Sequence, residues 1–120
     1  MRMNEISLAG RLPVESYGPG GFRIDGDWQA GSLVLSPGGV HGFEPPLDSE
    51  ALAPLVAQAD AIDVVLVGQG AEIAPLAAPL QAALEAAGIG VEIMSTTSAC
   101  RTYNVLLAED RRVAAVLVAV

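Results

Sequence analysis

The chain has 120 residues, the length of one ordinary domain, and 52% of them are hydrophobic, enough for a sizeable core. Aromatic residues make up only 4%, so that core must consist mainly of Ala, Val, Leu and Ile. Fourteen acidic residues face six arginines and no lysine, and the resulting net charge of -8 argues against nucleic acid as a partner, because it repels phosphate backbones.

Glycine and proline divide the first third of the chain into short segments that predict a small antiparallel sheet. The segments FRID and GSLVLS have the composition of strands, and Asp25-Gly26 is predicted to turn the chain between them as a hairpin. The preceding MRMNEISLAG has no apolar run of signal-peptide length and is expected to begin a folded strand. We therefore expect an N-terminal antiparallel piece that packs on the rest of the domain.

Helices and buried strands are predicted to alternate in the remainder of the chain. A first helix is expected from Asp48 or Ser49, either of which can cap it, to about Ala59. The run IDVVLVG that follows is continuously apolar, which is typical of a strand covered on both faces.

A second helix is predicted after the loop that follows this strand. It should begin near Ala77 or Ala78, because Pro79 is tolerated only in a first helical turn. It should end near Ala87, where Gly88 can terminate it.

Two more strands and a third helix complete the predicted pattern. IGVEIM is the next strand, MSTTSACRTYNVLLAEDRR contains the helix, and VAAVLVAV closes the chain as a buried strand. This alternation predicts one α/β domain over residues 1–120, with helices covering a buried sheet. The apolar runs are far shorter than the ~20 residues that span a bilayer, so we expect no membrane insertion and a cytoplasmic location.

The start of the third helix concentrates polar and reactive side chains. Ser95, Thr96 and Thr97 offer three successive hydroxyls, any of which can cap the helix. The helix dipole and the neighbouring Arg101 would lower the pKa of Cys100, which suggests a thiolate nucleophile or a redox sensor. The only histidine, His41, is distant in sequence, so no general base is at hand. We favour the other interpretation, a small buried apolar cysteine, and assign no catalytic residue.

A second candidate site is LVGQG, where Gly68 and Gly70 follow the predicted buried strand. A Gly-x-Gly between a strand and a helix has the layout of a phosphate-binding turn. Ile73 stands where the dinucleotide-binding fingerprint needs its third glycine, and the absence of lysine excludes a P-loop. We favour a tight turn at the strand end, although clefts do form at the carboxyl ends of strands in open α/β sheets.

The acidic residues of the first half of the chain form a third candidate site. They lie among turn residues without fixed spacing: Asp25, Asp27, Glu44, Asp48 and Glu50. His41 lies in a Gly/Pro-rich loop with no second histidine to share a metal, and a single cysteine excludes an internal disulfide. We therefore predict a solvated acidic surface, no metal site and no cofactor.

Four segments, in this order, resemble the Mth938-like family of proteins of unknown function: GSLVLSP, LVGQG, GIGVEIM and ACRTYNVLLAEDRRVAAVL. The resemblance covers nearly the whole chain and implies a three-layer α/β fold with a mixed central sheet. The family includes a mitochondrial assembly factor for respiratory complex I and an adipogenesis-associated protein. It draws attention to eight positions as a shared surface or pocket: Gly68, Gly70, Thr96, Cys100, Arg101, Thr102, Tyr103 and Asn104.

The chain departs from the family pattern at two helix ends. Ser95 stands where an acidic residue is expected, and both residue types cap helices. Asp110 stands where a helix-ending glycine is usual, and an aspartate in the left-handed conformation costs on the order of 1 kcal/mol.

These features support two candidate functions of different classes. The first is a non-enzymatic module that binds protein partners, with the assembly of complex I as its candidate role. The second is a domain that binds a small molecule or anion, or an enzyme, in which the Gly68–Gly70 turn meets the Cys100–Asn104 helix start. There, Arg101 would bind the anion while Tyr103 and Asn104 orient it. The missing general base favours the first, and the oligomeric state stays open.

Overall fold

The structure is a computed structural model that describes residues 12–120. The first third of this range is built of five strands, which are β1 (Val14–Gly18), β2 (Gly21–Ile24), β3 (Asp27–Ala30), β4 (Ser32–Ser36) and β5 (Gly39–Phe43). The remainder alternates helices and strands, which are α1 (Ser49–Ala57), β6 (Val64–Gly68), α2 (Ala78–Ala86), β7 (Gly90–Met94), α3 (Thr96–Ala108) and β8 (Val113–Leu117). The strand predicted for MRMNEISLAG lies outside the described residues.

The central sheet has five strands in the order β5-β4-β8-β6-β7. β6 is parallel to both of its neighbours, whereas β4 is antiparallel to β8 and to β5. The sheet is therefore mixed, as the resemblance implied. The expectation that GSLVLS belongs to the small N-terminal sheet is wrong, because this fully buried strand pairs with β8 at the centre of the large one.

A second, antiparallel sheet has the order β1-β2-β3 and forms the predicted small N-terminal piece. Asp25 and Gly26 take φ values of 52° and 80° and turn the chain between Ile24 and Asp27, which pair directly. The predicted hairpin turn is confirmed, but its second strand is β3 and not GSLVLS. Most of β3 is exposed, so it has no apolar pattern by which to recognise it.

The two faces of the central sheet are covered by different elements, which makes three layers. On one face, α3 and the small sheet contribute to a core that includes Phe22, Tyr103 and Leu107. On the other face, α1 and α2 contribute Leu55 and Leu84 to a separate core. The α/β fold class and its three-layer arrangement are confirmed.

The ends of the first two helices follow the predicted caps closely. Asp48 caps α1, because its side chain accepts a hydrogen bond of 2.9 Å from Ala51 N–H. α1 ends at Ala57, before the predicted Ala59, and a short 3₁₀ turn follows it. α2 begins at Ala78 with proline in its first turn. None of the helices in residues 12–120 has the length and apolar character that crossing a membrane requires.

His41 was predicted to lie in a loop, but it lies in the middle of β5. It pairs with Val34 of β4, and its side chain is exposed. The segment GVHGF carries two glycines and no regular alternation, which is why it did not resemble a strand.

Candidate functional site

The glycine turn after β6 and the start of α3 meet at one end of the central sheet. Gly70 N–H donates a hydrogen bond of 2.9 Å to Thr96 Oγ1, and Thr96 N–H donates one of 2.8 Å to the Gly70 carbonyl. The meeting follows from the topology, because β6 and β7 are adjacent and parallel, so their carboxyl ends lie together. The predicted proximity of the two segments is confirmed, whereas a binding role for them stays a prediction.

The Thr96 hydroxyl also reaches the residue that follows β8, the strand on the other side of β6. It donates a hydrogen bond of 2.7 Å to the Val118 carbonyl, while Val118 N–H donates one of 2.9 Å to the Gly68 carbonyl. Thr96 is fully buried, and its hydroxyl uses its proton and one lone pair inside the protein. It therefore joins three segments and has no proton to offer a ligand.

Packing requires a glycine at Gly68, and the backbone conformation favours one at Gly70. A Cβ atom at Gly68 would lie 2.8 Å from Thr96 Cα and 3.0 Å from Ala99 Cβ, which is closer than packed carbon atoms approach. Gly70 has a φ of 113°, a conformation that other residues avoid. Gly68 thus allows α3 to lie directly on the end of β6.

The backbone of this turn is not arranged to hold a phosphate. Gln69 N–H donates to the Met94 carbonyl at 3.1 Å, and Gly70 N–H is bonded to Thr96. A phosphate-binding turn needs such N–H groups to face the anion. The structure therefore favours the tight strand-end turn over the phosphate-binding turn.

The N-terminus of α3 is capped from within the chain. Ser95 Oγ accepts a hydrogen bond of 3.2 Å from Ser98 N–H, so the serine that stands where an acid was expected does cap the helix. The carbonyl of Gly70 occupies the place beside Thr96 N–H where an anion would bind.

Cys100 is a core residue and not an activated thiol. It is 3% exposed and belongs to the core between α3 and the central sheet. Burial raises its pKa to about 11, the opposite of the shift that a nucleophile requires. His41, the single histidine of the chain, lines a different cavity. These observations favour the interpretation of Cys100 as a small, buried, apolar core residue.

Asn104 ties the small sheet to α3. Its Oδ1 accepts a hydrogen bond of 2.8 Å from Val14 N–H, and its Nδ2 donates one of 2.8 Å to the Val14 carbonyl. The side-chain amide thus pairs with the β1 backbone as a neighbouring strand would. Nothing in the sequence indicated this contact, since its partners are 90 positions apart.

The remaining predicted positions divide between core and surface. Tyr103 is 1% exposed and packs in the core. Arg101 is exposed and Thr102 is half-buried. Arg101 lines a shallow cavity of about 170 Å³ between β1 and α3, together with Glu15 and Tyr17. The structure therefore joins Gly68 and Gly70 to Thr96 at the sheet end, but it places Cys100 and Tyr103 in the core and Asn104 against β1, so a binding surface shared by the eight residues stays a prediction.

The acidic residues near α1 line a groove that was not predicted from the sequence. It has a volume of about 290 Å³ and lies between β5 and the first turns of α1. We call it the β5 groove and define it by His41, Phe43, Glu44, Asp48 and Glu50. Across residues 12–120, no cluster of three or more His, Cys, Asp or Glu side chains is placed to hold a metal ion.

Solved structures of similar proteins share this fold. A crystal structure of a protein from Bartonella henselae, described as an outer membrane protein, superimposes with a TM-score of 0.88 at 39% identity, over 91% of this chain and 95% of that one. A solution structure from Bordetella pertussis, described as a Mth938-like domain, gives a TM-score of 0.73 at 28% identity, over 93% and 86% of the two chains.

Curated relatives match nearly the whole chain. An uncharacterised protein of Rhodobacter capsulatus is 46% identical over 98% of this chain and 92% of its own length. NADH dehydrogenase [ubiquinone] 1 alpha subcomplex assembly factor 3 of Danio rerio is 32% identical over 97% of this chain and 68% of its own length. A family model for proteins of unknown function (DUF498/DUF598) matches residues 14–118. This chain therefore belongs to the DUF498/DUF598 family, and the predicted resemblance to Mth938-like proteins is confirmed.

Proposed function

We propose that this protein is a cytoplasmic, non-enzymatic interaction module that assists the assembly of a multi-subunit protein complex. The candidate complex is respiratory complex I. At the level of the family, relatives named as assembly factors of NADH dehydrogenase support an assembly role. The zebrafish match covers 97% of this chain, so the similarity extends over the whole domain and not over one motif.

One observation carries the non-enzymatic part of the proposal. The polar groups at the meeting of the glycine turn and α3 are bonded to the protein itself, as shown by Thr96 with Gly70 and Val118, and by Asn104 with Val14. The thiol beside them is buried and has a raised pKa. Groups engaged in this way hold the fold together, because the Thr96 hydroxyl proton is donated to Val118 and the Asn104 carboxamide is paired with the Val14 backbone.

Exposed aromatic side chains provide surface for protein contacts. Trp28 is 45% exposed and lies against Gly21, where a Cβ atom would be 2.8 Å from the indole ring. Tyr17 is 44% exposed on β1, the opposite edge strand of the same small sheet. Trp and Tyr are the residues most often responsible for binding energy at protein interfaces. These two positions are therefore suitable contact residues for a partner.

Deleting the gene in its organism of origin tests the assembly role. We expect less mature complex I on native gels, accumulation of a subassembly, and lower NADH:quinone oxidoreductase activity of membranes. The wild-type gene should restore all three. A Trp28→Ala/Tyr17→Ala variant should restore less, and an Ala82→Ser variant, altered at an exposed helix position, should restore as much as wild type. Normal levels of mature complex I in the deletion strain would refute the assignment.

One observation favours the second function, the binding of a small anion. Arg101 is exposed at the cavity of about 170 Å³, and within residues 12–120 no carboxylate forms an ion pair with it. Titration with inorganic phosphate, followed by amide NMR shifts, tests this site. Shifts confined to the neighbours of Arg101 and lost in Arg101→Gln would support anion binding, and unchanged spectra up to millimolar phosphate would exclude it.

A further inference from the structure

Among residues 12–120, no strand pairs with the outer edge of β5, which makes it a free edge of the central sheet. β5 is the last strand in the order and pairs with β4 on one side only. Within the described part of the chain, no further backbone hydrogen bond reaches Gly39–Phe43. Unpaired N–H and C=O groups on such an edge are a template for another strand. Proteins commonly protect edges with Lys, Pro or a bulge, and GVHGF carries none of these.

The β5 groove lies beside this edge, on the side of α1. His41 pairs with Val34 and Phe43 pairs with Ser32, and Val34 belongs to the core under α1. Since side chains alternate along a strand, His41 and Phe43 point to the α1 side. Every second side chain of a strand added to β5 would point the same way and enter the β5 groove.

The charge of the groove indicates which segments it accepts. Glu44, Asp48 and Glu50 line it and are exposed, and no arginine of the described residues lines it; the chain has no lysine. A second copy of this chain would bring these carboxylates and another net charge of -8 against them. An arginine or lysine side chain, in contrast, would find complementary charge.

We propose that β5 receives an extended, basic segment of a partner protein, which pairs with its free edge and places Arg or Lys side chains in the β5 groove. Main-chain hydrogen bonds then give affinity, and the carboxylates of the groove select the partner. This inference rests on the proposed interaction role, because it names the chemistry of the partner. It enlarges the central sheet from five strands to six.

Synthetic peptides test the proposal with the full chain in vitro. The probe is a fluorescent ten-residue peptide that alternates Arg with Val and Thr, measured by anisotropy at pH 7.5 and low salt. One control replaces each Arg with Glu, and a second replaces the central Val residues with Pro, which cannot pair as a strand. We expect binding of the basic peptide alone. Equal binding of the acidic peptide would refute charge selection, and equal binding of the proline peptide would refute strand addition.

Amide hydrogen exchange locates the contact and identifies other occupants. In the free chain, the outward amides of β5 should exchange rapidly, and the basic peptide should slow them without affecting β7, the opposite edge. Slow exchange in the free chain at every concentration would mean that a segment of the chain itself covers the edge. Slowing that increases with protein concentration would mean a second copy. Either result would overturn the proposal.

Two charge-matched variants test the groove. Glu44→Gln/Glu50→Gln removes two groove carboxylates and leaves Asp48, which caps α1, in place. We expect about three- to tenfold weaker peptide binding, the effect of losing two exposed ion pairs. Glu92→Gln/Glu109→Gln removes the same charge at exposed positions outside the groove and should bind as wild type. Equal weakening by both variants would show only a long-range charge effect and refute the site.

The two proposals can fail separately. If the peptide does not bind but the deletion strain loses complex I, the β5 site is refuted and the assembly role stands.

Discussion

The carboxamide of Asn104 is bonded to both backbone polar groups of Val14, with two hydrogen bonds of 2.8 Å. The first strand of the small sheet is thereby attached to the helix that covers the central sheet. Both bonds are partly buried, so solvent cannot fully replace them. The contact explains why a residue predicted to orient a ligand has a structural task instead.

Replacing Asn104 with Ala should destabilise the domain by about 2 kcal/mol, because it leaves a partly buried N–H and C=O of Val14 without partners. The free energy of unfolding in urea measures this cost. Arg101→Ala, one turn earlier on α3 and exposed, should change it by about 0.5 kcal/mol or less. A similar loss in both variants would mean that the two bonds contribute nothing specific.

Replacing Thr96 with Val should cost about 2–3 kcal/mol, since Gly70 N–H and the Val118 carbonyl lose their partner at a partly buried position. Thr96→Ser retains the hydroxyl and loses one methyl group, so its cost should be about 1 kcal/mol. Urea unfolding of both variants checks the order. A serine variant as unstable as the valine variant would refute the importance of the hydroxyl.

Replacing Gly68 with Ala should destabilise the protein by about 1–3 kcal/mol, because the added Cβ would overlap the backbone of Thr96 and push α3 from the sheet. Gly42→Ala is the matched control, since its Cβ would meet only the Ser32 carbonyl, at 3.8 Å. Thermal unfolding compares the two. A Gly68→Ala variant as stable as Gly42→Ala would contradict the close helix–sheet approach.

Replacing Asp110 with Gly should stabilise the domain by about 1 kcal/mol. Asp110 has a φ of 61° and follows Glu109, the C-cap residue of α3, so the left-handed conformation expected at this position is present. Glycine takes this conformation freely, and the change also removes a negative charge from the end of the helix. Asp110→Ala removes the charge but not the strain and should not stabilise. Equal gains in both variants would assign the effect to charge alone.

The buried thiol predicts a loss of stability at high pH. The folded pKa of Cys100, about 11, lies above the value of roughly 8.5 for an exposed thiol. The unfolded state therefore releases this proton first, and the stabilisation present below about pH 8.5 is lost as pH rises towards 11. Cys100→Ala should lack this part of the pH dependence, which urea unfolding between pH 8 and 10.5 measures.

Thiol labelling gives a second measurement of the same burial. Native Cys100 should react far more slowly with a thiol reagent than Cys100 of the unfolded chain. Equal slopes for the two proteins, or rapid native labelling, would refute the buried-thiol description.

The helices and buried strands after residue 48 were predictable because each has a local signal. Asp48 and Ser95 cap their helices as expected, and IDVVLVG and VAAVLVAV contain the central strands β6 and β8. Strands β1, β3 and β5 were not recognised, because they are short and mostly exposed, and a half-exposed strand with glycines lacks a period of two.

The sequence by itself determined the α/β class, the family and the meeting of the glycine turn with the third helix, because parallel neighbouring strands must end at the same edge. Only the tertiary structure decided what the polar residues there do. Whether Thr96 and Asn104 face a ligand or the backbone depends on Val118 and Val14, which are distant in sequence and adjacent in space. The free edge of β5 likewise depends on strand order, which no local pattern encodes.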